Sequence, residues 1–235
     1  MLGIALLVGG GVVGTVGWIG DRQKSADNGP DPVTASGSPS TAEGSPPAAW
    51  RAPDRSGPVG RLNEVSRKAR IADATMTLPP DPYTLSGDSI TVPDVIDAMF
   101  VAGAPVHPQY DGAHSWSATV GLAHLPGESV DSADPVEFAD DRMGTVAERF
   151  FGDHRIKIKQ ARYAPLTVDG QLCAEVTARI HYRIEDLASR YDNFHLVGCP
   201  SADGGIVAAI SSVPDDADPE VARLAAASVD SLELD

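Results

Sequence analysis

The chain divides by the spacing of its apolar residues. Met1 to Ile19 is an apolar run with no ionisable side chain. Residues 21–60 are mostly Ser, Pro, Ala, Gly, Asp and Thr, with few side chains that a core could hold. From about residue 61 onward, apolar and polar positions alternate in the manner of strands and helices.

Within 61–235 the pattern predicts the following elements. Arg61 to Arg70 reads as a short helix, with Leu62, Val65 and Ala69 on one face and a Glu64–Lys68 pair. Ala72 to Leu78 alternates as a strand, and Pro79-Pro80 stops it. Pro93 to Ala102 reads as a short helix before Gly103, and Trp116 to Leu125 as a strand. Asp134-Pro135-Val136-Glu137 offers an N-cap, a first-turn proline and a capping-box glutamate. Val136, Ala139, Met143, Val146 and Phe150 then mark one face of a helix that Gly152 ends. Strands follow at about 154–166, 171–184, 192–199 and 205–213. A last helix starts at Asp218-Pro219 and runs to Ser231, with Val221, Leu224, Ala225, Ser228 and Leu232 as its buried stripe.

Strands, a helix, a run of strands and a final helix make an α+β domain with a mainly antiparallel sheet and two principal helices. This order, with a strand ending Leu78-Pro79-Pro80 and a terminal helix ending Ser228-Val229-Asp230-Ser231-Leu232, resembles the PsbP/Mog1-like fold. Such domains occur in membrane-tethered or lipid-anchored envelope proteins of actinobacteria. The resemblance covers roughly residues 72–235 and implies a binding or scaffolding domain rather than an enzyme.

The N-terminal run sets the expected location. Leu2 to Ile19 would span about 27 Å as a helix, close to the roughly 30 Å of a bilayer core. Trp18 is placed as an interfacial anchor. A cleaved signal peptide would want a basic start and a small-residue cleavage site, and neither is present. The expectation is therefore one transmembrane helix (residues 1–20), a disordered stalk (21–60) and a folded domain (61–235). The stalk would reach roughly 35 Å as a coil. Arg22 and Lys24 follow the span, which by charge alone would keep the domain inside. The acidic domain, the stalk and a cysteine pair argue for the outside, and long domains cross largely regardless of charge.

Composition narrows the partners. With 18 Lys and Arg against 33 Asp and Glu, the formal charge is −15. That opposes nucleic acid and anionic lipid. Membrane contact is expected through residues 1–20 only, with an envelope protein or acidic polymer as partner. Two cysteines suit one structural disulfide in an oxidising compartment, not a metal site. Cys173 and Cys199 are equally spaced about Asp186, so a hairpin centred there pairs them, with Glu175 opposite Val197 and Thr177 opposite His195.

No catalytic signature emerges. There is no nucleophile elbow, no metal-binding histidine pair and no phosphate loop. The acidic residues Asp131, Asp134, Glu137, Asp140 and Asp141 lack the calcium-loop pattern and suit a helix N-terminus. No cofactor, metal ligand or catalytic residue is expected.

One pattern does point to binding. On 171–184, Cys173, Glu175, Thr177, Arg179, His181 and Arg183 alternate with an apolar set. On 154–162, Arg155, Lys157 and Lys159 alternate with Ile156 and Ile158. A two-residue turn at Asp169-Gly170 would pair Ile158 with His181 and spoil both faces. A three-residue loop, Val168-Asp169-Gly170, repairs the register, with Gly170 left-handed in a G1 bulge. Lys157 then meets His181, Lys159 meets Arg179, Ile158 meets Ile180 and Ile156 meets Tyr182. The candidate anion-binding residues are Arg155, Lys157, Lys159, Arg179, His181 and Arg183. The alternatives are a solvated sheet face with no ligand, a tethered envelope hydrolase, or a structural subunit of a membrane complex.

Overall fold

The computed structural model describes residues 60–92, 94–126, 143–148, 150–152, 154–202 and 204–235. Its strands are β1 (Arg61–Asn63), β2 (Lys68–Ile71), β3 (Ala74–Thr77), β4 (Thr84–Leu85), β5 (Ile90–Val92) and β6 (Ile96–His107). They continue as β7 (Trp116–Leu125), β8 (Lys157–Val168), β9 (Gln171–His181), β10 (Tyr191–Pro200), β11 (Ile206–Pro214) and β12 (Glu233–Leu234). Residues 143–148 are helical (α1), as are 150 and 151, and α2 spans Pro219–Val229.

Eight strands form the main sheet, in the order β4-β6-β7-β11-β10-β9-β8 with β5 beside β6. Four short strands form a second sheet, β1-β2-β3-β12. Every pairing is antiparallel. The α+β class with a mainly antiparallel sheet is therefore what the element order implied.

The main sheet carries a core on each face. On one, Ala98, Phe100, Ala102, Val120, Leu122, Val207 and Ala209 meet Val221, Ala225 and Val229 of α2 and Ile71 and Met76 of the small sheet. On the other, Met99, Val101, Val176, Ile180, Phe194, Leu196 and Ile210 meet Met143, Val146, Ala147 and Phe151. Burial on both faces explains one error of the sequence reading. Of the helix expected at Pro93 to Ala102, Ile96 to Ala102 is instead the start of β6. Ile96 to Ala104 is almost continuously apolar because both sides are covered, and such a run carries no period-two signal.

The expected helix at Arg61 to Arg70 is a second error. It is the β1–β2 hairpin, with Arg61 opposite Arg70 and Asn63 opposite Lys68. The Asn63 side chain accepts from the N–H groups of Val65 and Ser66, at 3.1 and 3.0 Å. That local turn competes with the helix. Arg67 follows at φ 57°, which a helix interior would not contain.

α2 forms where its signals put it. Asp218 caps it, accepting from Glu220 N–H at 2.7 Å, and Pro219 opens it. Ser228 Oγ donates to the Thr77 carbonyl at 2.7 Å, and Thr77 N–H donates to Ser231 Oγ at 2.9 Å. The terminal serines thus tie α2 to the strand that runs into Leu78-Pro79-Pro80. Of the helix expected from Asp134, residues 143–148 and 150–151 are helical, and its cap lies outside the described residues.

The described residues all fall in a single compact unit. The expected transmembrane span, the expected stalk apart from Gly60, and the acidic cluster at 131–141 lie outside the described residues. No described helix is long and apolar enough to cross a membrane.

Candidate anion-binding face

The site begins with the disulfide. Cys173 and Cys199 are bonded, their Cα atoms 4.4 Å apart. The bond sits in a ladder that pairs Glu175 with Val197, Thr177 with His195, Arg179 with Asn193 and His181 with Tyr191. This is the register that equal spacing about Asp186 required.

The β8–β9 hairpin reaches its register by another route than expected. Its turn is the two-residue one: Val168 pairs with Gln171, and Asp169 and Gly170 take φ 47° and 85°. The three-residue loop is therefore wrong. The slip it was meant to supply lies within β8, where the register shifts between Lys159 and Arg162. Gln160 is left-handed there, at φ 54°, so residues 160 and 161 bulge against one residue of β9. Beyond the bulge, Lys159 pairs with Arg179, Ile158 with Ile180 and Lys157 with His181, as the polarity of the strands demanded. Ile156 precedes β8 and has no ladder partner there.

The bulge decides which side chains share a face. Before it, Lys157 and Lys159 stand on the side of Arg179 and His181. After it, Arg162 stands on that same side, opposite Thr177. Without the extra residue Ile158 would replace the lysines there. Lys157, Lys159 and Arg162 are exposed, while Arg179 and His181 are partly so. Among the described residues no element packs over this part of the sheet, although α2 and the small sheet cover the rest of the same face.

Tyr191 of β10 holds the centre. Arg179 Cζ lies 4.8 Å from its ring centroid, and the His181 ring lies 5.0 Å away at 37°. This lays the guanidinium along the sheet rather than into solvent. Partial burial pushes His181 below the usual histidine range, and Lys159 and Arg179 push it further, against Asp215. At neutral pH the imidazole is therefore uncharged, and the face carries its fixed cations. His195 Nε2 lies 2.9 Å from Glu175 Oε1, which partners the ladder's own carboxylate.

Arg155 and Arg183 are exposed in irregular chain beyond the paired ends, so the ladder does not bring them to the face. The sequence reading missed Arg162, Tyr191 and Asn193. Tyr191 and Asn193 were available, because the register fixed by the cysteines sets them opposite His181 and Arg179. Arg162 was not, since it has the wrong parity unless the bulge is known.

A second polar cluster lies by the opposite core. Asp192, 2% exposed, accepts from Tyr182 OH at 2.6 Å, Ser212 Oγ at 2.7 Å and Trp116 Nε1 at 3.3 Å. Burial pushes its carboxyl up to about 6, against the pull of those donors. Nearby, His107 Nε2 lies 2.6 Å from Ser189 Oγ and 3.0 Å from Asp216 Oδ1. Ser189 Oγ itself donates to Asp216 Oδ1 at 2.5 Å. A nucleophilic relay needs the histidine to take the serine proton while a carboxylate holds its other nitrogen. Here one nitrogen makes both contacts and the serine proton goes to the carboxylate. The cluster ties together the end of β6, the turn before β10 and the start of the α2 loop.

No family pattern matches the chain, and no curated protein matches it. Among solved structures it is similar to the cyanobacterial PsbP protein CyanoP from Synechocystis sp. PCC 6803. That match has 13% identity and a TM-score of 0.46, covering 82% of this chain and 99% of the other.

Proposed function

We propose that the chain is a single-pass, membrane-tethered binding domain held outside the membrane, whose cationic sheet face engages an anionic component of the cell envelope. Residues 1–20 are the anchor and 21–60 the stalk. The Mog1-like relation and the actinobacterial setting suggested by element order belong to this reading. The observation that carries it is the β8–β9 ladder. It sets Lys157, Lys159, Arg162 and Arg179, with the His181 ring among them, on a face that no described element covers, in a protein of net charge −15. Such an excess against the global sign concentrates anions at that face.

The geometry of His107, Ser189 and Asp216 gives no support to the hydrolase alternative. The large exposed apolar residues among those described are Val65, Ile158 and Leu172, on a hairpin tip and at opposite ends of the β8–β9 hairpin. They form no patch of the kind a docked subunit would need.

The test is capture from solubilised envelope by the intact tethered protein. Substituting Lys157→Glu, Lys159→Glu, Arg162→Glu and Arg179→Glu together should abolish recovery of the bound component. Undiminished recovery would leave the face as a solvated surface and remove the proposal.

A further inference from the structure

The arrangement of the cations on this face says what kind of anion it fits, given the binding role proposed above. They do not converge. Lys157, Lys159 and Arg162 form one row along β8, and Arg179 stands beside it on β9 with the neutral His181 ring. Same-face neighbours on a strand recur about every 6.6 Å. Partners across a ladder stand roughly 5 Å apart. The β8 row therefore runs for about 15 Å along the strand, across the bulge. A compact anion such as phosphate needs several donors aimed at one point, commonly backbone N–H groups at a nest or helix terminus. The strand N–H groups here lie in the plane of the sheet, and α2 presents its N-terminus at Asp218, capped by that side chain.

Among the described residues, the face also lacks what a folded acidic partner would grip. Protein interfaces rely on aromatic or apolar anchors in desolvated pockets. The uncharged side chains beside the cations are Thr177 and Asn193, with Ala164 next along β8 beyond Arg162, and the Tyr191 ring is already engaged by Arg179 and His181. Exposed Asn193 and half-exposed Thr177 instead offer amide and hydroxyl groups beside the charges. That mixture suits a chain of hydroxyl-bearing rings with one acidic group per ring. The carboxylates nearby are partnered: Glu175 with His195, and Asp215 with the N–H of Arg190 at 2.9 Å.

We infer that the ligand of this face is a linear acidic polysaccharide laid along β8 and β9, its charges read in sequence by Lys157, Lys159, Arg162 and Arg179. Oligogalacturonates of one, three, six and ten units, titrated calorimetrically into the full chain in neutral detergent at low salt, provide the test. Affinity should rise at least 100-fold from monomer to hexamer and then level off as the strip is filled. Its logarithm should fall with that of salt at a slope of about −3, as expected for four screened cations. Lys159→Glu with Arg179→Glu should weaken the hexamer at least tenfold and flatten the slope, with the circular dichroism spectrum unchanged. Affinity that does not grow with length overturns the inference, and so does tighter binding of orthophosphate or of polyphosphate of equal charge. If that happens while charge reversal still abolishes envelope capture, the polysaccharide is wrong and the anion-binding role stands. If both fail, both are wrong.

Discussion

At the scale of the residue, two titrating groups behave oppositely because their surroundings do. Asp192 is buried, so folding favours its protonated form, with a carboxyl raised to about 6 from 3.8. A raised carboxyl stabilises the native state below that value, and the contribution is lost as pH rises through it. Stability should therefore increase from pH 7.5 toward pH 4.5, by roughly 2 kcal/mol for a shift of this size, before other groups intervene. Asp192→Asn should remove that slope. Thermal midpoints of the two proteins across this range would disprove the assignment if they ran parallel. His181 is held below its usual range by burial and by Lys159 and Arg179, with Lys157 opposite, Tyr191 stacked beside it and Asp215 opposing. An anion on the face relieves that repulsion and draws a proton onto the ring. Anion affinity should therefore strengthen several-fold between pH 7.5 and 5.5, and His181→Asn should lose the gain. A pH profile unaltered by that substitution would show that the ring does not face the ligand.

At the scale of the element, the bulge in β8 is the feature on which the face depends. Gln160 holds a left-handed conformation that a β-branched residue resists. Gln160→Val should cost about 1–2 kcal/mol in denaturant unfolding, and Gln160→Gly should cost nothing. Equal stability of the two would show that the bulge does not need that conformation. The bulge also marks where the sequence stopped being legible. The alternation of Lys157, Ile158 and Lys159 against Arg179, Ile180 and His181 required a slip of one residue, and the structure contains it. Pattern alone could not place it, because a loop of three residues and a bulge further along shift the ladder identically. β6 was misread for another reason: burial on both faces erased its alternation. The β1–β2 hairpin was misread because Asn63 turns the backbone locally, which apolar spacing does not register. α2 and the β9–β10 ladder were legible, since a cap with a proline and a cysteine pair are position-specific signals.

At the scale of the whole molecule, the disulfide joins β9 to β10 beside the core that α2 covers, with both cysteines fully buried. Its sequence separation of 26 closes a loop worth roughly 3.5 kcal/mol in the chain-entropy model. Replacing both cysteines by alanine should lower unfolding stability by about 3 kcal/mol. A loss below 1 kcal/mol would mean that the ladder needs no cross-link. The same bond belongs to the proposed placement outside the membrane, where it would form and persist. It also fixes the ladder that aligns Tyr191 and Asn193 with the cations, so location, stability and binding face are linked through one pair of residues. The most direct test of that account is photocrosslinking in intact cells, with a benzophenone side chain at Asn193 on the cationic face and, separately, at Val65 on the exposed β1–β2 hairpin tip. The account predicts a high-mass adduct from position 193 that disappears when Lys159 and Arg179 are changed to glutamate, and none from position 65. Adducts of equal yield at both positions, or at position 193 regardless of charge, would contradict it.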